Sequence, residues 1–172
     1  MHRKTLNRRT LIKAAGAAPL VSSALVRAAA DTPLPRKGQP WPLADVPLFD
    51  GSIFRAAQAE GQVVLVYWWA SWCPFCAALT PSIQRLWDAQ RSRGLKVLGL
   101  SVDRRIEDAR RYMSQRGYSF PSGWHGPEIE RILPKPGKGL PVTCVRDRAG
   151  RVVLAETGEI FPEDVEQIAR FL

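Results

Sequence analysis

The sequence predicts a single α/β domain in which a mixed parallel and antiparallel sheet is flanked by helices. Three observations support this prediction. After residue 60, short runs rich in Val, Leu, Tyr and Trp alternate with segments of helical periodicity, and two later strand-like runs enclose a turn signal. The length of 172 residues suits one core and is too short for two comfortable ones. Alternating strands and helices followed by a hairpin are typical of an α/β sandwich.

The predicted domain covers residues 46–172 and follows a proline-rich stretch. Residues 31–45 hold four prolines, which cannot donate to a sheet ladder, so this stretch is predicted to be an extended linker or an edge segment. Ser52–Ala59 is predicted to form a short helix capped by Ser52. Gln62–Ala70 is rich in apolar, β-branched and aromatic residues, which predicts a strand buried on both faces.

Helical periodicity resumes from Cys73 to about Arg91, and Pro81 is expected to kink that helix. The other predicted elements follow in order: a strand at Leu95–Val102, a helix at Ile106–Arg116 ended by Gly117, a helix at Pro127–Leu133, a hairpin of Pro141–Arg146 with Val152–Glu156, and a final helix at Pro162–Leu172.

The positive charge of the chain belongs mostly to its first 30 residues. They hold six Lys and Arg and no acidic residue, which leaves 19 basic against 16 acidic residues and lowers the formal charge from +9 to +3. The charge of the remaining chain therefore gives no argument for a nucleic-acid partner, and we predict none.

Residues 1–30 are predicted to be an export signal peptide. A basic start is followed by a weakly apolar stretch, Leu11–Val26, and by the small residues Ala28–Ala30 as a cleavage site. The segment Asn7–Lys13 resembles the twin-arginine export signal. Ordinary secretion and an uncleaved membrane anchor are the alternatives. The predicted location is the periplasm, where disulfide chemistry is permitted.

The segment Trp72–Cys76 places two cysteines three residues apart where a strand hands over to a helix. A cysteine in the first helical turn is favoured as thiolate by the free N–H groups and the helix dipole, and the thiolate attacks disulfide sulfur. A second cysteine one turn on can resolve the mixed disulfide. The alternative is a structural disulfide, which would constrain little across so short a loop.

The segment Val64–Cys76 resembles the active-site strand and loop of the thioredoxin superfamily, and within it the TlpA/ResA-like periplasmic thiol-disulfide oxidoreductases. Pro81 falls at the family's helix-kinking proline, Gly139–Thr143 resembles its cis-proline loop, and Asp147–Gly150 matches a turn that the family often has. The resemblance covers about residues 46–172. It implies a thioredoxin-like three-layer sandwich with a mixed central sheet.

By this resemblance Cys73 is the exposed attacking thiol and Cys76 the buried resolving thiol. Pro141 is expected to follow a cis peptide bond, with the Leu140 backbone facing the sulfurs as an edge for an extended substrate chain. The predicted substrate-binding residues are Trp72, Pro74, Phe75, Leu140 and Pro141.

The sequence departs from the family pattern at two positions. Tyr67 stands where many thioredoxins have a buried Asp, and Leu79 where many ResA-like members have a Glu. Because such an acid can shuttle the proton of the resolving thiol, the direction of electron flow stays open. A reductase is favoured over a disulfide-forming oxidase because the short connection after the motif helix has no room for the helical insertion of DsbA-like proteins.

Two other functions fit the sequence less well. A thiol peroxidase is disfavoured because Ala70 occupies the place of the usual Thr before its cysteine. Soft thiolates would suit Cu(I) in a thiol metallochaperone, but the copper-delivery relatives of this family space their cysteines more widely and add a His. We predict neither a cofactor nor a bound metal.

Four further residues are expected to be structural. Cys144 is predicted to be a buried thiol that shares a strand face with Val142, and Trp68 and Trp69 to be core residues on opposite faces. His125 is predicted to be a solvent-facing loop residue.

The partners expected are protein thiols and disulfides and a redox partner such as a membrane electron donor. The chain itself is expected to be a monomer.

Overall fold

The computed structural model describes residues 32–158 and 160–172. The export signal predicted at residues 1–30 lies outside the described residues. Within the described ranges, no helix is both long enough and apolar enough to cross a membrane.

A five-stranded sheet forms the centre of the fold, with the strand order β5-β4-β3-β6-β7. Strands β3, β4 and β5 are parallel, and β6 and β7 are antiparallel to their neighbours. The five strands are β3 (Val63–Trp69), β4 (Leu95–Ser101), β5 (Ser122–Trp124), β6 (Val142–Arg146) and β7 (Val152–Thr157). The predicted mixed sheet is confirmed.

Strand β3 lies in the middle of the sheet, and all seven of its residues are buried. Successive side chains point to opposite faces, so the strand contributes to two cores. Trp69 and Tyr67 belong to one hydrophobic cluster, and Trp68 and Val66 to the other. The prediction that Trp68 and Trp69 are core residues on opposite faces is confirmed.

The helices begin close to where the sequence places them. They are α1 (Pro74–Gln90), α2 (Ile106–Arg116), α3 (Pro127–Ile132) and α4 (Pro162–Gln167), with α4 continued by a 3-10 turn at Ile168–Phe171. Pro81 lies inside α1. Gly117 ends α2 with φ of 66°, in the left-handed region that favours glycine at this position.

The helix predicted at Ser52–Ala59 is wrong over its first half. Ile53–Phe54 (β2) pairs antiparallel with Val46–Pro47 (β1), and only Ala56–Ala59 is helical, as a 3-10 turn. The reason is local. Ser52 does not cap a helix, because its amide and hydroxyl both donate to Asp50 Oδ1, at 2.9 and 2.7 Å, which closes the turn between the two short strands.

Residues 32–45 run along the edge of the large sheet. Gly38 donates to the Val152 carbonyl at 2.7 Å, and the Val152 amide returns a bond to the Gln39 carbonyl at 2.9 Å. The Trp41 ring packs on Trp68, with the centroids 6.2 Å apart. The buried Arg146 guanidinium donates to the Trp41 carbonyl. This stretch covers one of the two cores of the fold.

Candidate functional site

Cys73 and Cys76 form a disulfide at the N-terminus of α1, directly beyond the end of β3. Cys73 is the N-cap residue, and its Sγ accepts a hydrogen bond from the Cys76 amide at 3.1 Å. Pro74 occupies the first helical turn, where its missing N–H leaves no helical hydrogen bond unmade. The Cys76 amide, one of the free N–H groups of the first helical turn, is thus directed at the sulfur of Cys73.

The exposure predicted for Cys73 is wrong for the disulfide form. Cys73 is 4% exposed and Cys76 is fully buried. Burial of Cys73 follows from its N-cap position, because its sulfur turns back toward the helix amides and bonds to Cys76. The surface at the motif is formed instead by Trp72 and Phe75, which are 67% and 54% exposed, together with the exposed Pro74.

The peptide bond between Leu140 and Pro141 is cis, as predicted. Pro141 is buried, and its carbonyl accepts a bond from the Gly158 amide at 2.8 Å. Leu140 is half-buried and packs against the hydrophobic cluster that contains both motif cysteines. The fold thus brings the second predicted substrate-binding segment to the core on which the disulfide rests.

Tyr67 and Thr80 form a buried hydroxyl pair at the carbonyl of Cys76. Thr80 Oγ1 donates to this carbonyl at 2.6 Å, and the two hydroxyls are 2.9 Å apart. The Tyr67 hydroxyl lies 3.3 Å from the same carbonyl. Burial raises the pKa of Tyr67 above its usual value of 10, against the opposing effect of its hydrogen bond with Thr80. Tyr67 therefore stays neutral at physiological pH. Leu79, the other position at which the sequence departs from the family pattern, is part of the core.

Asp103 was not singled out from the sequence, yet the structure places its carboxylate beside the motif loop. It is 3% exposed and bonds to Ser71, two residues before Cys73. The available signal was positional. Asp103 follows the predicted strand Leu95–Val102, and the carboxyl ends of parallel neighbours meet at one sheet edge, where the motif loop also begins.

Two other sequence predictions have different outcomes. Cys144 is fully buried, as predicted, and burial raises its pKa to about 12. His125 is not solvent-facing: its ring nitrogens lie 2.9 Å from the Leu133 carbonyl and 3.2 Å from Glu130 Oε2. The prediction failed because Trp124 belongs to β5, which is too short to recognise from sequence, and this strand carries His125 inward against Trp68. Burial lowers the pKa of His125.

Comparisons with known proteins agree with this architecture. The model of the AhpC/TSA family matches residues 37–128. The thiol-disulfide oxidoreductase ResA of Halalkalibacterium halodurans is 22% identical over 127 residues, which cover 72% of this chain and 69% of that protein. ResA of Geobacillus thermodenitrificans is 25% identical over 119 residues, which cover 69% of this chain and 67% of that protein.

Among solved structures, a thioredoxin-family thiol:disulfide interchange protein from Chlorobium tepidum superimposes with a TM-score of 0.70. It is 25% identical, and the match covers 78% of this chain and 96% of that one. The resemblance to TlpA/ResA-like proteins and the thioredoxin-like fold predicted from the sequence are both confirmed.

Proposed function

The chain belongs to the AhpC/TSA family and is a thiol-disulfide oxidoreductase of thioredoxin fold, and from this premise we propose that it reduces protein disulfides through Cys73 and Cys76. The observation that carries the proposal is the position of this pair. Both sulfurs lie at the N-terminus of α1, and the Cys76 amide already donates to Cys73 Sγ. A thiolate on Cys73 would accept the same bond more strongly, since hydrogen bonds to charged groups are the stronger ones.

The proposed reaction starts from the reduced dithiol. The Cys73 thiolate attacks one sulfur of the substrate disulfide, forms a mixed disulfide and releases the other substrate sulfur as a thiolate. Cys76 loses its proton and attacks Cys73 Sγ. The Cys73–Cys76 disulfide forms, and the second substrate sulfur leaves. Two electrons pass to the substrate, whose two sulfurs take up two protons. A dithiol partner then reduces the enzyme by the reverse steps.

The exposed side chains around the motif are proposed to bind the substrate chain. Trp72 and Phe75 are the large apolar side chains exposed at the motif, and the exposed Pro74 lies between Cys73 and Phe75 in the sequence. The backbone at Leu140 and Pro141 offers an edge for an extended segment. The proposed substrates are protein disulfides presented in extended chain, and not small peroxides.

The direction of electron flow, from this chain to the substrate disulfide, is proposed from the short connection after α1. Only the short turn Arg91–Arg93 and Gly94 separate this helix from β4, so the helical insertion of DsbA-like oxidases has no place there. The proposed compartment is the periplasm, reached through the signal at residues 1–30, with a membrane electron donor as the source of electrons. An oxidase and a copper metallochaperone are the alternative outcomes of the tests below.

An insulin assay tests the exchange reaction. The full chain should accelerate precipitation of insulin by dithiothreitol, while Cys73→Ser and Cys76→Ser should not. Cys144→Ala is the matched control, because it removes a cysteine from the buried core and leaves the motif intact. If Cys73→Ser precipitates insulin as fast as the parent chain, the exchange mechanism is wrong.

Equilibration with glutathione tests the direction. A reductase is expected to have a reduction potential near that of thioredoxin, about −270 mV, whereas a value near about −120 mV would identify an oxidase. Stoichiometric retention of Cu(I) without insulin reduction would instead support the metallochaperone.

A further inference from the structure

A fully bonded carboxylate holds the loop that leads into the disulfide. Asp103 lies two residues beyond the end of β4, and its oxygens accept four contacts from three donor groups. The Ser71 amide is 3.2 and 3.1 Å from Oδ1 and Oδ2. The Ser71 hydroxyl donates to Oδ1 and the Ser101 hydroxyl to Oδ2, both at 2.7 Å.

Such a carboxylate is costly to bury, and its hydrogen bonds show which segment it holds. At 3% exposure it needs hydrogen-bond donors to replace water, and two of its three donor groups belong to Ser71. Ser71 lies in the short loop between the end of β3 and the N-cap Cys73. Within that loop, the Cys73 amide donates to Ala70 at 3.2 Å. The Asp103 carboxylate is thus the group that ties the loop to the neighbouring strand.

Asp103 is itself fixed on two strands. Its amide donates to the Ser101 hydroxyl at 3.1 Å, and its carbonyl accepts from the indole Nε1 of Trp124, at the end of β5, at 2.8 Å. The adjacent Val102 amide donates to the Trp69 carbonyl at 2.9 Å. Groups supported on sheet strands hold a site more tightly than groups on free loops do.

We propose that Asp103 is a positioning residue for disulfide exchange: through Ser71 it holds Cys73 at the N-terminus of α1, with its sulfur against the Cys76 amide. This inference rests on the proposed function. Asp103 itself does not touch the reacting sulfurs. Its contribution is to keep the attacking atom in place, and displacements of about 1 Å in such sites cost up to about a hundredfold in rate.

Three variants of the full chain separate geometry from charge. Asp103→Ala removes the carboxylate and its bonds. Asp103→Asn removes the charge, but its oxygen can still accept both Ser71 donors while its NH₂ donates to the Ser101 hydroxyl. Asp147→Ala is the matched control. Asp147 also accepts two backbone amides, at Ala149 and Arg151, in the β6–β7 turn at the opposite end of the sheet from Cys73.

Two readouts apply to the reduced proteins: kcat/KM for insulin reduction, and the pH midpoint of Cys73 alkylation by iodoacetamide. Asp103→Ala is expected to lose about tenfold or more in kcat/KM, with Asp103→Asn and Asp147→Ala within about twofold of the parent. The midpoint should be higher in Asp103→Ala than in Asp103→Asn, by about half a pH unit, because the thiolate loses its alignment with the helix N-terminus. Both variants lack the charge, so this difference reports geometry, and lower folding stability alone would not produce it.

Equal activity of Asp103→Ala and the parent would overturn the proposal. So would equal losses and equal midpoints in the Ala and Asn variants, because the charge would then be responsible. If Asp103→Ala does not fold, Ser71→Ala takes its place. That variant loses one of the Ser71 donors and should slow exchange by about fivefold, and a rate within about twofold of the parent would again overturn the proposal. An inactive parent chain would refute the proposed function itself, an outcome distinct from all of these.

Discussion

Removing the two buried hydroxyls beneath Cys76 should reveal that they act as a pair. Thr80 Oγ1 has one proton, and its 2.6 Å contact shows that it points at the Cys76 carbonyl. The 2.9 Å bond between the hydroxyls is therefore donated by Tyr67 to Thr80. Cys76, the proposed resolving cysteine, therefore accepts at its carbonyl the last hydrogen bond of a chain that runs from Tyr67 through Thr80.

The cost of each removal follows from what it leaves behind. Tyr67→Phe leaves the Thr80 bond to Cys76 in place and no unpaired donor, so it should lower the free energy of unfolding by about 1 kcal/mol. Thr80→Val removes two bonds and leaves the Tyr67 hydroxyl with a single contact at 3.3 Å. It should therefore lower the free energy of unfolding by about 2 kcal/mol. The double variant replaces both groups by apolar ones of similar shape. It should cost about 2 kcal/mol, which is less than the sum of the single changes.

Urea unfolding of the oxidised chain, followed by tryptophan fluorescence, measures the four free energies of this cycle. Tyr67 has a raised pKa, so its contribution is complete below its unfolded value near 10 and would be lost only as the pH rises through the higher folded value. The coupling should therefore be equal at pH 6 and pH 9. Additivity of the two changes within about 0.4 kcal/mol would refute the paired arrangement.

Three further predictions concern other parts of the fold. Because Cys144 is buried and burial raises its pKa to about 12, iodoacetamide at pH 8 should leave Cys144 unlabelled in the reduced native chain and label it in denaturant; native labelling of Cys144 would contradict this. Burial lowers the pKa of His125, so its contribution to stability is complete above its unfolded value near 6.5 and falls as the pH drops toward the folded value. The loss of urea stability from pH 7.5 to 5.5 should accordingly be smaller in His125→Gln, and equal losses would exclude this role. Arg146→Met leaves the carbonyls of Trp41 and Ala59 without their guanidinium donor and should cost about 3 kcal/mol in urea unfolding, whereas Glu60→Gln, at an exposed carboxylate, should cost less than about 1 kcal/mol.

The elements with a long, regular pattern were predictable from the sequence. Strand β3 is a continuous apolar run because it is buried on both faces, and α2 begins at Ile106 and ends at Gly117 as predicted. The motif cysteines and Pro141 were predictable because their spacing and neighbours are specific. These features are encoded locally, so a single sequence reveals them.

Most of the features that the sequence did not reveal depend on contacts between distant segments. Ser52 is the exception: its bond to Asp50 is local, but serine favours both turns and helix caps, so the sequence does not choose between the two. His125 looks exposed until the three-residue strand β5 carries it inward. Asp103 acquires its role only when β4 lies next to β3, and a lone Asp after a strand has no pattern that distinguishes it from a surface residue.

The segment at residues 32–45 also has a consequence for how the chain reaches its final structure. Its hydrogen-bond partners include Arg146 and the turn around Gly150, more than 100 residues later in the sequence. The hydrogen bonds that Gly38 and Trp41 make with these residues therefore cannot form until the last two strands exist, and contacts of such sequence separation form slowly. A chain cut short before β6 would leave Trp41 without its Arg146 contact. The hydrogen bonds that close this edge therefore form only in a chain that includes the last two strands.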